Sequence, residues 1–248
     1  PIASSLYTIL NYSTPLYTTI RALHPTPENR PPRRFFLHIS TKSTTFAALI
    51  LPIMTEKEKM QQQMLYDANY DTELIRERQV AKDLCYQFNQ LRPSDETNQQ
   101  QILSQLLGKK SDNCCILAPF WCDYGYNIEV GKNFFANHNT VILDGAKVTF
   151  GDNVFIAPNC GFYTAGHPID AERRNQGLEY AYPITVGDNV WIGAGVHVMP
   201  GVKIGSNVVI GGGSVVVKDI PNNVVAVGNP CRPIRPITEA DKHKSWDR

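Results

Sequence analysis

Residues 186–221 read VGDNVW IGAGVH VMPGVK IGSNVV IGGGSV VVKDIP, a run of consecutive six-residue steps. A branched aliphatic opens each step, at 186, 192, 198, 204, 210 and 216. Glycine takes the second place at 187, 193, 205 and 211, and the fifth runs Val190, Val196, Val202, Val208, Ser214 and Ile220. A period of six fits neither the turn of an α-helix nor the alternation of a simple strand. It fits a parallel β-helix, in which each hexad forms one short strand and a turn. The opening aliphatics then point inward and stack from coil to coil. The small second residue sits where the chain bends, and glycine is cheapest there. Three hexads close one triangular coil, so residues about 18 apart are expected above one another.

Upstream the same phase persists in FGDNVF and IAPNCG (150–161), and with more wear in VGKNFF and ANHNTV (130–141). Between the two blocks the repeat stops, around GFYTAGHPID (161–170). An insertion over 163–183 therefore interrupts the β-helix and presents His167 between Gly166 and Pro168. Loops on a rigid scaffold are where reactive groups concentrate.

The N-terminal half differs in composition, since all 17 glycines lie at or after Gly108. Thr55 and Glu58 form a capping box, which opens a helix carrying Met60 and Met64 on one face. A second helical segment carries a stripe of Val80, Leu84, Phe88 and Leu91. Pro93-Ser94 ends it and offers a cap to a third, where Ile102, Leu103, Leu106 and Leu107 cluster before Gly108. The expected organisation is an extension over 1–53, a helical region over 54–112, a β-helix over 113–235 and a tail over 236–248.

Residues 1–53 are rich in Ser, Thr and Pro, with several arginines and one acidic residue, Glu28. Such a segment buries little apolar surface and is expected to be disordered or loosely packed. Met54 opens MTEKEK like a natural start, which makes an extension of little function the preferred reading. An organelle transit peptide is the alternative.

The 248-residue chain has a net charge of +1, which gives no electrostatic reason to expect a nucleic-acid or membrane partner. Its longest apolar run, 46–53, is too short to span a bilayer. Cysteines stand at 85, 114, 115, 122, 160 and 231, with no CxxC pair. That spacing suits reduced thiols in an intracellular, cytoplasmic protein, or an organellar one if the transit reading holds.

Beyond the hexads, several stretches carry a more specific likeness: LCYQFN (84–89), PFWCDYGYNIEVG (119–131), FFANHN (134–139), TAGHP (164–168), GLEYAYPITVGDNVWIG (177–193) and KDIPNNVVAVGNPCR (218–232). In these the chain resembles the maltose and galactoside O-acetyltransferases, with NodL-like acetyltransferases close by, over nearly all of 54–235. The resemblance implies a left-handed β-helix and a homotrimer with sites at subunit boundaries. It implies acetyl transfer from acetyl-CoA to a sugar hydroxyl, with no metal required. His167 matches the family's catalytic base. Histidine suits that role, because its ordinary pKa of about 6.5 leaves a basic imidazole at working pH.

Asn137 matches a position near the reacting carbonyl, where its amide would donate to the oxyanion. Asp67, Asp123, Asp144 and Glu179 match acceptor-lining positions. Where this chain has Asp144-Gly145 the galactoside enzymes have an acidic pair, and where it has Glu179 they have methionine; both leanings favour a maltose or glucose acceptor. Trp191, Ala194, Gly212, Val217 and Lys218 match the coenzyme A wall, and Arg232 and Arg235 positions facing the nucleotide phosphates. Val217 stands where a hydroxyl residue is usual, so any contact there is through its backbone.

Two rival readings use the same scaffold. A γ-type carbonic anhydrase would bind zinc through histidines across a subunit boundary, and His138, His167 and His197 are the candidates. That family has two of its histidines only a few residues apart, and this chain has no such pair. A catalytically inactive hexapeptide scaffold is the other rival, and loss of the loop histidine would be its signature.

Overall fold

The computed structural model describes residues 54–245. The expectations placed on residues 1–53 lie outside the described residues. The helical region begins with α1 (Glu56–Gln61), followed by β1 (Tyr66–Asp67), α2 (Thr72–Gln90) and α3 (Glu96–Leu106). The capping box at the start of α1 is formed, with Thr55 and Glu58 each accepting from the other's backbone.

The expected cluster of α3 is formed, with Leu103, Leu106 and Leu107 buried and Ile102 packed against the core, but the stripes of α1 and α2 differ from the sequence expectation. In α1 Met60 is buried, but the helix ends at Gln61 and Met64 is exposed. In α2 the buried face is Leu74, Ala81, Cys85 and Phe88, while Val80 is exposed. Small Ala81 and Cys85 pass for surface residues in a pattern search but are what lets the helix approach the β-helix closely. Asp95, not Ser94, caps α3.

The first coils are built from β2 (Cys115–Ile116), β3 (Phe120–Cys122), β4 (Ile128–Val130), β5 (Phe135–Ala136), β6 (Thr140–Leu143), β7 (Val148–Phe150), β8 (Val154–Ile156) and β9 (Gly161–Tyr163). The insertion is itself structured, with β10 (Ala165–Gly166), α4 (Ala171–Asn175) and β11 (Leu178–Ala181). The coils resume with β12 (Ile184–Val186), β13 (Val190–Ile192), β14 (His197–Val198), β15 (Lys203–Ile204), β16 (Val208–Ile210), β17 (Val215–Val216) and β18 (Val224–Val227). An antiparallel strand, β19 (Arg232–Pro236), then closes the edge of β18.

These strands stack in parallel on three faces, ordered β15-β12-β7-β4, β18-β16-β13-β8-β5-β2 and β17-β14-β9-β6-β3. Each three-residue strand except β9 points two side chains in and one out. Val190 and Ile192 are buried around exposed Trp191, for example. Inside, Phe134, Phe150 and Phe162 stack at successive centroid distances of 5.0 Å. The outward positions of the first face are polar (Glu129, Thr149, Thr185, Lys203), whereas those of the second are apolar (Phe135, Phe155, Trp191, Val209).

The expected 18-residue spacing holds after the insertion, as in Val190 over Val208, and shortens to 16 in the last coil, where Val209 pairs with Val225. Early coils are longer, placing Cys115 beside Phe135 and Asn113 on Asn133, 20 residues apart. The insertion raises the spacing to 36 between Asn153 and Asn189. Longer corners explain why the early hexads look worn.

One corner is held by a repeated asparagine turn, Gly-X-Asn in four coils and Pro221-Asn222-Asn223 in the last. Asn133, Asn153, Asn189, Asn207 and Asn223 all adopt positive φ, between 54° and 61°. Asparagine is among the few side-chain-bearing residues that tolerate that region. Side-chain amides link the column, as Asn133 to Asn153 at 2.9 Å and Asn207 to Asn223 at 2.9 Å. Glycine before the pair is a packing requirement as well. A Cβ on Gly187 would stand 2.8 Å from the Ser206 nitrogen in the next coil.

Candidate active site

The insertion folds back as a small antiparallel sheet in which β11 pairs with β10 on one side and β1 on the other. Tyr66 lies opposite Glu179 and Asp67 opposite Leu178. The helical region thus supplies one wall of the site and the interrupted repeat the other. A Cβ at Gly166, just before His167, would be 2.4 Å from the hydroxyl of Tyr180, so a larger residue there would displace that ring. Beyond Pro168, Asp170 caps α4 by accepting from the Arg173 amide, and Arg174 donates to the Ile169 carbonyl at 2.7 Å. Those contacts brace the loop behind the histidine.

His167 is exposed, and its Nδ1 lies 3.0 Å from the carbonyl oxygen of Leu178. A carbonyl only accepts, so Nδ1 carries a proton, and in the neutral ring Nε2 keeps the lone pair. Nε2 is 3.9 Å from Oε1 of Glu179. The other oxygen of Glu179 accepts from the buried Tyr66 hydroxyl at 3.3 Å. Burial pushes the Glu179 carboxyl above its ordinary range, partly offset by His167 and Arg78 nearby.

Asp144 is fully buried behind Asp123. Its Oδ1 accepts from the backbone amides of Asp123 and Tyr124 at 3.0 and 2.8 Å, while Oδ2 has no partner. Burial raises its carboxyl to about 6, despite those amides. Burial also raises Asp123, opposed by Lys82 and Arg78. Asp67 is half-buried, and its Oδ1 accepts from the Tyr70 amide at 3.0 Å.

Arg78 of α2 was not singled out in the sequence, and neither were Tyr66 and Tyr124. Arg78 donates to the Tyr124 hydroxyl at 2.6 Å and to the Ala68 carbonyl, and its charge acts on both Asp123 and Glu179. Among the many charges of α2 no spacing marks this arginine out. For Tyr66 and Tyr124, adjacency to Asp67 and Asp123 was the available signal.

Asn137 lies at the end of β5, where its Oδ1 accepts from the His138 amide at 2.8 Å. That fixes the amide orientation and leaves Nδ2 as an available donor. The three histidines have separate partners: His138 contacts the Ala118 carbonyl, His167 that of Leu178, and His197 the Tyr163 hydroxyl at 3.1 Å. Among the described residues no group of three or more His, Cys, Asp or Glu is arranged to hold a metal ion.

The residues assigned to coenzyme A occupy a different part of the molecule from the Glu179 carboxylate group. Trp191 is exposed on β13, and Ala194 and Gly212 share one corner a coil apart, with the Gly213 amide donating to the Ala194 carbonyl. Val217 and Lys218 are exposed just after β17. Arg232 donates to the Cys231 carbonyl, and Arg235 forms a two-pronged pair with Asp241 at 2.8 Å for each bond. A phosphate at Arg235 would have to compete with that carboxylate.

Hexapeptide coils interrupted by a histidine-bearing loop, under a helical cap, define an acyltransferase of the hexapeptide-repeat class. Residues 59–111 match the maltose acetyltransferase hexapeptide capping motif, and 183–218 match the bacterial transferase hexapeptide repeats. A Saccharomyces cerevisiae protein carrying an acetyltransferase designation is 63% identical over 177 residues, which is 71% of this chain and 90% of the relative. The structure is similar to a maltose O-acetyltransferase from Clostridium difficile 630 (TM-score 0.73, 53% identity, 75% of this chain and 99% of that one). It is likewise similar to a galactoside acetyltransferase in complex with coenzyme A (TM-score 0.76, 42% identity, 79% and 97%). The chain belongs to the maltose and galactoside O-acetyltransferase family. No helix among the described residues is long and apolar enough to cross a membrane.

Proposed function

We propose that the protein moves acetyl from acetyl-CoA to a sugar hydroxyl, with His167 as general base. The observation that carries this reading is the Nδ1 contact with Leu178, which leaves Nε2 basic and exposed. An acceptor hydroxyl gives its proton to Nε2 as its oxygen attacks the thioester carbonyl. Collapse of the tetrahedral adduct releases the coenzyme A sulfur, which takes the proton back from the imidazolium. The side-chain amide of Asn137 donates to the oxyanion. Coenzyme A lies along Trp191, Ala194, Gly212, Val217 and Lys218, its phosphates toward Arg232 and Arg235.

Asp67, Asp123 and Glu179 accept sugar hydroxyls, and Glu179 favours maltose or glucose over galactosides. Asp144, which matches an acceptor-lining position, is fully buried and acts instead by holding the backbone amides of Asp123 and Tyr124. The apolar outer positions of the second face support a homotrimer, because exposed apolar surface of that kind marks interfaces. Subunit boundaries then complete the sites, and the cytoplasm is the working compartment.

An acceptor panel with acetyl-CoA, followed by release of free thiol, tests the substrate class. Maltose or glucose should stimulate release more than a galactoside. Stimulation by a hydroxylated antibiotic or serine, with none by any sugar, would refute it. Sedimentation should find a trimer; an active monomer would contradict the shared sites.

A further inference from the structure

Cys85 of α2 and Cys122 of β3 bring their sulfurs to 3.6 Å inside the protein, and among the described residues neither thiol has a hydrogen-bond partner other than the opposite cysteine. A clamp between α2 and β3 holds them there. One helical turn beyond Cys85, Asn89 clamps the backbone of Phe120 from both sides, donating to its carbonyl at 3.0 Å and accepting from its amide at 2.8 Å. Asn89 follows Cys85 by four residues and so shares its helix face, while Phe120 precedes Cys122 by two and so shares its side of the strand. The clamp therefore fixes the register that sets sulfur against sulfur.

We infer that Cys85 and Cys122 are an oxidisable dithiol, closed to a disulfide by hydrogen peroxide, and that closure impairs acceptor binding. The chemistry balances with peroxide as oxidant. One thiolate attacks a peroxide oxygen, the O–O bond breaks, and a sulfenic acid and one water result. The second sulfur then attacks the sulfenyl sulfur, the S–O bond breaks, and a second water leaves. Two thiols are oxidised by two electrons and the peroxide is reduced to two waters. Burial of both sulfurs selects a small oxidant over a bulky disulfide. The shared S–H···S hydrogen bond supports the first step, lowering Cys85 while raising Cys122.

Closure must bring the sulfurs from 3.6 Å to about 2.05 Å. The strain falls on the end of β3, because Cys122 is followed directly by Asp123. The amides of Asp123 and Tyr124 are the ones that hold Asp144, and Arg78 lies two turns back along α2 with its guanidinium on Tyr124. The effect on acceptor binding rests on the acceptor reading above; bond formation does not.

The test is hydrogen peroxide treatment of the full chain, read by non-reducing peptide mapping and by steady-state kinetics. The expected map shows a Cys85–Cys122 cross-linked peptide, absent after dithiothreitol and absent in Cys85→Ala and Cys122→Ala. The expected kinetics are an acceptor KM raised about tenfold with KM for acetyl-CoA unchanged, reversed by dithiothreitol and missing in both variants. Both thiols remaining free while exposed Cys115 is oxidised would overturn the dithiol. A cross-link with unchanged acceptor KM would overturn the coupling while leaving the dithiol standing. If no sugar is an acceptor at all, the map still decides the bond.

Discussion

The carbonyl of Leu178 fixes the protonation of His167 from 3.0 Å away, and that carbonyl belongs to the strand whose next residue is Glu179. One short strand thus sets both the tautomer of His167 and the position of the carboxylate beside it. Neutral His167 should therefore carry its proton on Nδ1. With nitrogen-15 labelled histidine, and His167→Ala to assign the signals, the spectra should report that tautomer. A proton on Nε2 in the neutral ring would contradict the assignment.

Glu179 faces His167 on one side and Tyr66 on the other, and the proposed function makes it an acceptor contact. Glu179→Gln should raise the acceptor KM about tenfold, the value of one charge-assisted hydrogen bond. The KM for acetyl-CoA should stay within error, and steady-state kinetics with both substrates varied would decide it.

Asp144 makes stability depend on pH in an unusual direction. Burial raises its folded-state carboxyl to about 6 from an ordinary 3.8, so the folded protein binds this proton more tightly than the unfolded chain. Its contribution is fully present below about pH 4 and is lost as pH rises through about 6. A shift of that size corresponds to about 3 kcal/mol. Asp144→Asn keeps an oxygen for the two amides and removes the titration. Urea unfolding at pH 4 and pH 7 should show wild type losing about 3 kcal/mol more than the variant.

Two asparagines should matter for different reasons. Asn89→Ala strips a buried backbone donor and acceptor at Phe120 of their partners, and should cost about 2 kcal/mol or more. At Asn153 the backbone has positive φ, so Asn153→Gly should be milder than Asn153→Ala by about 1 kcal/mol. Equal losses at Asn153 would mean that the amide column, not the backbone, sets the cost. Thermal unfolding of the three variants measures both claims.

The β-helix was legible because its inward residues repeat at a fixed phase that nothing else produces. Val190, Ile192, Val208 and Ile210 occupy the places that the hexads assign. The early coils were less so, because corners two residues longer break the phase without breaking the stacking. The buried face of α2 was misplaced because Ala81 and Cys85 look neutral in an amphipathic pattern, and only the approach to β3 shows why they are small. The loop histidine stood out as an interruption of a strict repeat. Arg78, Tyr66 and the unpartnered oxygen of Asp144 did not, since they are made functional by elements far apart in the chain.

His167→Ala tests the central claim most directly, assayed for turnover beside His138→Ala and His197→Ala. The side chain is exposed on a loop and adds little to the stacked core, so the variant should fold and keep its assembly and coenzyme A affinity. Turnover should fall by about 10²–10⁴-fold, while the other two variants stay near wild type. A zinc enzyme would lose activity with all three, and an inert scaffold would show none to lose. If His167→Ala keeps more than about a tenth of wild-type turnover, the base has been misassigned.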